Sequence, residues 1–93
     1  MTDAELFPLG AVVATPGALQ ALEDAGEDGG AYLARHVRGD WGDVPPEDAQ
    51  ENTYSVARHL RILSAYTLST GAALWIITEA DRSSTCLLLR DEY

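Results

Sequence analysis

The hydrophobic pattern changes period near His59. Before it, apolar residues recur at helical spacing between breakers. After it, they run in aliphatic and aromatic blocks separated by turns of hairpin length. The first element is a short β-type run, Leu9-Gly10-Ala11-Val12-Val13-Ala14, which stops at Thr15-Pro16. Thr15 can cap a helix with its hydroxyl, and Pro16 suits the first helical position, where an N–H would lack a partner in any case. Ala18, Leu19, Leu22 and Ala25 then recur at helical spacing, and Gly26 predicts a left-handed C-cap. Gly29-Gly30 precedes a second short helix whose stripe, Tyr32, Leu33, His36 and Val37, ends at Gly39. Glycines and prolines interrupt Asp40-Trp41-Gly42-Asp43-Val44-Pro45-Pro46, which predicts a loop, ordered if Trp41 is buried. A third helix is predicted from Pro46 to His59, with Glu47 and Asp48 in its first turn, where the macrodipole favours them.

Three strands are predicted after that: Arg61 to Thr67, Ala73 to Thr78 and Thr85 to Leu89. Their connections, Leu68 to Gly71 and Glu79 to Ser84, are short enough for an antiparallel meander. The expected fold is therefore α+β, with three helices packed on one face of an antiparallel sheet that ends in a C-terminal three-stranded meander. A chain of 93 residues makes one small domain, 1–93, in which 1–8 are expected to form a flexible lead-in. At this size a single core leaves modest net stability and oligomerisation often helps. A hydrophobic content of 46% with 23% charged residues argues for a folded chain over a disordered one.

Charge divides the chain differently. Between Glu23 and Glu51 nine carboxylates (Glu23, Asp24, Glu27, Asp28, Asp40, Asp43, Glu47, Asp48 and Glu51) face only Arg35 and Arg38, a net of −7 within a total of −9. The segment after Glu51 is neutral, so the acidity is a localised field. A field of this sign repels nucleic acid and anionic membranes, whose phosphates need Lys or Arg. If the third helix reached back to Asp43, then Asp43, Glu47 and Glu51 would line one face about 6 Å apart. Such an array could imitate a duplex, which carries one charge per roughly 1.7 Å of axis, and be steered into a cationic groove. The competing explanation is a solvated acidic surface that serves solubility or adaptation to salt, in keeping with six Arg and no Lys.

Candidate chemistry is sparse. His36 and Asp40 at i, i+4 could orient an imidazole, but Gly39 is expected to end the helix between them and no nucleophile is near in sequence. No His-x-x-x-His, Cys-x-x-Cys, Gly-x-Ser-x-Gly or phosphate-cradling glycine loop occurs, and the serines fall at turn or strand positions. The expectation is a non-enzymatic protein with no cofactor and no metal. Cys86, the sole cysteine, lies in an apolar run and reads as a small hydrophobe, which fits a reducing compartment. Glu79-Ala80-Asp81-Arg82 closes a strand and reads as a turn with a structural salt bridge. The N-terminus lacks the positive region of a signal peptide, and no apolar run approaches the roughly 20 residues that span a bilayer, so a cytoplasmic location is expected.

Several segments, Arg35-His36-Val37-Arg38-Gly39-Asp40-Trp41-Gly42-Asp43-Val44, Arg61 to Tyr66, Trp75 to Ser83 and the ending Asp91-Glu92-Tyr93, together resemble a family of small acidic proteins of plasmids, integrative elements and phages. The resemblance covers most of the chain from Leu9 onward and transfers no catalytic residues. It implies a counter-defence role, since small acidic proteins of mobile elements are often anti-CRISPR or anti-restriction factors that mimic DNA. The partner would be a CRISPR effector or restriction subunit with a basic nucleic-acid-binding groove, met by the nine carboxylates. A structural or regulatory homodimer that pairs through an exposed edge of the meander is the alternative.

Overall fold

Thr15 and Pro16 start the first helix as their chemistry requires. In the computed structural model, which describes Ala4–Tyr93, the Thr15 hydroxyl accepts from the Ala18 N–H at 3.0 Å, and α1 spans Pro16–Ala25. Gly26 closes it at a φ of 66°. Asp28 caps α2 (Gly29–Val37) by accepting from the Gly30 N–H, and α3 spans Pro46–Arg58. Before them comes β1 (Ala11–Ala14). After them come β2 (Ile62–Thr67), β3 (Ala73–Thr78), β4 (Ser84–Leu89) and a 3₁₀ turn at Arg90–Glu92.

The last three strands form the expected antiparallel meander. β1 adds to it in parallel, against β4, so the sheet is mixed with the order β1-β4-β3-β2. Local pattern could not reveal this pairing, because it joins residues more than seventy positions apart, such as Val12 and Thr85. The pairing register assigns the two faces. Ile62, Ser64 and Tyr66 of β2 share the inner face with Leu74, Ile76 and Thr78 of β3 and with Thr85 and Leu87 of β4. α1 lays Ala18 and Leu22 on this face, and α2 adds Tyr32, which forms one cluster with Tyr66, Leu74, Ile76 and Leu87. A second cluster joins Phe7, Val37, Trp41 and Ile62, with Ala49 and Val56 of α3 packed against it. The expected flexible lead-in, where it falls within the described residues, is anchored: the Leu6 N–H donates to the Val37 carbonyl and Phe7 is buried. Its first three residues lie outside the described part.

The outer edge of β2 is closed by side chain and loop. Asn52 of α3 acts as a substitute strand there: its amide donates to the Leu63 carbonyl at 2.7 Å and its oxygen accepts from the Leu63 N–H at 3.1 Å. One residue pair further along, the loop bonds Ala65 through the Trp41 carbonyl and the Asp43 N–H. Gly42, between them at a φ of 76°, presses so close that a Cβ would strike the Ala65 carbonyl and the Tyr66 ring, which only glycine allows. Neither edge of the meander is therefore free, since β4 is covered by β1. The open edge of the sheet is β1, where Val12 and Val13 are each about half exposed.

Candidate functional site

The most chemically loaded position is His36, and α2 drives it into the core. Its ring is fully buried between Phe7 and Trp41, edge-on to both. Nδ1 lies 2.5 Å from Ser64 Oγ and Nε2 lies 2.9 Å from Thr78 Oγ1. Thr78 in turn meets Thr85 at 2.7 Å, and the Thr85 hydroxyl donates to the Leu9 carbonyl at 2.7 Å. A carbonyl only accepts, and this fixes the protons from Thr85 back to His36 Nε2, while the neutral ring that burial favours leaves Nδ1 as an acceptor. Thr85 spends its hydrogen on Leu9 and accepts from Thr78. Thr78 accepts from His36 Nε2–H, and Nδ1 accepts from Ser64. The imidazole is held neutral, and burial pushes its pKa down to about 4.

A serine beside a histidine base is chemically suggestive. Yet Ser64 and His36 expose no surface, and no carboxylate completes the row. The arrangement works as a polar spine tying α2 to three strands. His36 and Asp40 do not pair, because the helix stops short of Asp40, as Gly39 led one to expect. α2 ends at Val37 with Arg38 as its cap, and Asp40 turns outward to Arg35, 2.7 Å away. That bond holds the Asp40 carboxyl below the usual range, and Arg35 is further held over the Tyr66 ring. Nothing in the local sequence marks Ser64, Thr78 and Thr85 as partners of His36, since three different strands supply them.

In the Glu79–Arg82 turn the ion pair is made by Glu79 with Arg61 at 3.6 Å, while Arg82 is engaged differently. Arg82, at a φ of 61°, is buried and donates to the carbonyls of Ser55, Leu60, Glu79 and Ala80, tying the end of α3 to the β3–β4 turn. Asp81 accepts from the Ser83 N–H instead. Cys86 is partly buried on the outer sheet face, and burial pushes its thiol pKa up, so the thiolate is disfavoured. Among the described residues, no group of three His, Cys, Asp or Glu side chains is arranged to hold a metal ion. Among the same residues, no helix is long and apolar enough to cross a membrane.

The nine carboxylates divide into structural and unengaged groups. Glu27 accepts from the Tyr32 hydroxyl and from the Ser69 N–H, and these bonds lower its pKa in that order. Asp28 caps α2, Asp24 accepts from Gln20, and Asp43 accepts from the Thr67 hydroxyl at 2.8 Å. Glu27 and Asp43 thus flank the β2–β3 hairpin from two sides, bringing the acids of the α1–α2 turn and of the central loop to one end of the sheet. α3 begins at Pro46 as predicted, so Asp43 is not on its axis and the condition for a helical row of Asp43, Glu47 and Glu51 is not met. The physical reason is Pro45 and Pro46, which cannot continue a helix backward, together with the tie of Asp43 to β2. Glu23, Glu47, Asp48 and Glu51 are exposed, and their carboxylates make no hydrogen bond or ion pair among the described residues. Glu47, Asp48 and Glu51 form an acidic rim along the first turns of α3.

Beside that rim lies a feature that the charge and motif patterns do not announce. The outer sheet face carries Leu63, Ala65, Trp75, Ile77, Cys86 and Leu88, all apolar or weakly polar. The helices α1 and α2 pack on the other face, and the element laid against this one is the C-terminal turn, whose Tyr93 rests on Trp75 at 5.3 Å between ring centroids. A groove of about 370 Å³ opens along β2, with Leu63 and Ala65 as floor, Val44, Pro45 and Asp48 on one wall and Trp75 on the other. The floor continues past Leu63 into a smaller depression beside Glu51 and Arg61. The near-continuous apolar runs of β2 to β4 were a usable signal, because strands reading this way are ordinarily covered on both faces. Comparison of the chain with models of protein families, with curated proteins and with solved structures finds no match.

Proposed function

We propose that this chain is a non-enzymatic binding protein whose acidic surface occupies a cationic groove built for nucleic acid. In the setting implied by the resemblance, that groove belongs to a CRISPR effector or a restriction nuclease of the host. The observation that carries the proposal is the acidic rim: Glu47, Asp48 and Glu51 are exposed on α3, and their carboxylates have no partner among the described residues. They follow directly from Asp40 and Asp43 at the hairpin end of the sheet. Carboxylates kept apart from local bonds raise the negative potential outside the molecule and steer a basic partner toward it. Such binding is expected to weaken steeply with salt, because it trades counterions on the partner's groove.

The test is capture of the partner from a defence-competent host lysate at low and at high salt, with identification by mass and competition by duplex DNA. Recovery of a nuclease subunit that is lost at high salt, displaced by DNA and abolished by Asp43→Asn/Glu47→Gln/Asp48→Asn/Glu51→Gln supports inhibition by mimicry. Binding that survives those substitutions rejects it. A self-associating module remains the second proposal, moved from the meander to the β1 edge by the half-exposed Val12 and Val13. It predicts a concentration-dependent dimer lost in Val13→Lys.

A further inference from the structure

The outer groove bears on which protein surface is recognised, and its assignment rests on the proposed role of this chain as a binder of basic protein. Three properties of the groove restrict its occupant. The first is its floor, in which Leu63 and Ala65, with the Trp75 wall on which Tyr93 rests, are partly buried and still present apolar surface to the groove. The second is its rim. Asp43, Asp48 and Glu51 stand along the α3 side, while the two arginines at its margins are already met, Arg61 by Glu79 at 3.6 Å and Arg90 by Asp91 at 3.7 Å. The net field over the floor is negative.

The third is its backbone. Peptides commonly join a sheet by adding a strand to a free edge. Here the β2 edge is closed, at Leu63 by Asn52 and at Ala65 by the Trp41 carbonyl and the Asp43 N–H. An occupant gains no main-chain bonds from β2 and must satisfy its own backbone internally. A helix does so. With apolar side chains toward Leu63, Ala65 and Trp75, and Lys or Arg along its flank toward Asp48 and Glu51, it would match the groove in both polarity and charge. We infer that the groove between α3 and Trp75 is the docking site for a basic amphipathic helix of a protein partner.

The test uses the full chain, labelled with ¹⁵N, and a synthetic helical peptide of about 18 residues, or five turns. The peptide carries Leu on one face and Lys on the other, and a counterpart carries Glu in place of Lys. The expected result is movement of the Leu63, Ala65 and Trp75 resonances with the Lys peptide and none with the Glu peptide. Ala65→Arg places a cation on the floor at a position where the side chain can extend to solvent. It should weaken binding about tenfold, equivalent to 1.4 kcal/mol, with the rest of the amide spectrum retained. If Ala65→Arg does not fold, Val44→Arg on the loop wall makes the same test. Equal binding by the floor variant, or shifts confined to the α3 carboxylate residues, overturns the groove while leaving the acidic-surface proposal standing. Absence of any shift at millimolar peptide also overturns it. DNA competition for a nuclease partner is a separate measurement, so failure of one proposal is not read as failure of the other.

Discussion

The two faces of the sheet invert the usual allocation of polarity. The inner face, sealed beneath α1 and α2, holds a histidine, a serine and two threonines with no exposed surface. The outer face, which has no helical layer, presents Leu63, Ala65, Trp75 and Cys86. Burial of polar groups is tolerated on the inside because each is bonded: no buried side-chain nitrogen or oxygen among the described residues lacks a partner. On the outside Ile77 and Leu88 are buried, while Leu63, Ala65, Trp75 and Cys86 are only partly covered. The contrast teaches that the inner face is sealed and fully bonded, whereas the outer face keeps partly covered apolar surface, the surface on which the docking proposal rests.

The sharpest way to break this comparison is to disable the spine. His36→Ala leaves Ser64 and Thr78 without their partner and opens a cavity, and should cost about 3–5 kcal/mol in denaturant unfolding. A loss below about 1 kcal/mol would mean the polar chain is incidental to the fold.

Protonation attacks the same spine more gently. The folded His36 pKa of about 4 lies below the unfolded value of 6.5, so below pH 6.5 the unfolded chain binds the extra proton first. The stability contributed by the neutral imidazole is therefore complete above pH 6.5 and lost as pH falls toward 4. The loss totals about 3 kcal/mol, because each tenfold difference in proton affinity between the folded and unfolded chain corresponds to about 1.4 kcal/mol. The difference between wild type and His36→Gln in urea melts across pH 7 to 4 isolates the histidine. Parallel curves for the two proteins would remove His36 from the account.

The closed edge of β2 offers the next test. Asn52→Ala deletes two bonds and leaves the Leu63 N–H and carbonyl bare, an expected loss of about 2 kcal/mol. The same change exposes a template for strand pairing, so light scattering should detect association that the wild type lacks. A variant that stays as stable as the parent would show that water replaces Asn52 without penalty.

The smallest effect on stability belongs to the rim. Asp48→Asn/Glu51→Gln should alter unfolding free energy by no more than about 0.5 kcal/mol, since both groups are exposed and without partners. Any large change in partner binding by this variant would then be assigned to recognition. A large loss of stability would instead give these carboxylates a structural role.

The helices were legible from local chemistry alone. Thr15, Pro16 and Gly26 delimit α1, and Pro46 opens α3, because caps and proline act through atoms only a few bonds or one turn away. The meander was legible for the same reason, through short connections between apolar blocks. The site was legible only as charge. The row of Asp43, Glu47 and Glu51 depended on a helix that reached back past Pro46, and Asp43 bonds β2 and Thr67; His36 could have met Asp40 only on an unbroken helix, and it reaches Ser64 and Thr78. Each of these observed partners lies far along the chain.

By itself, the sequence determined the number and kind of the elements, the mixed α+β class and the concentration of negative charge between Glu23 and Glu51. Only the tertiary structure decided that β1 pairs in parallel with β4, that Asn52 and the Trp41–Asp43 loop close the β2 edge, and that an apolar groove opens beside the acidic rim. The physical reason lies in range. Capping, helix propensity and turn formation are settled within one turn of chain. Strand order, buried hydrogen bonds and the exposure of a face depend on contacts between residues such as Leu9 and Thr85, whose meeting no local pattern encodes.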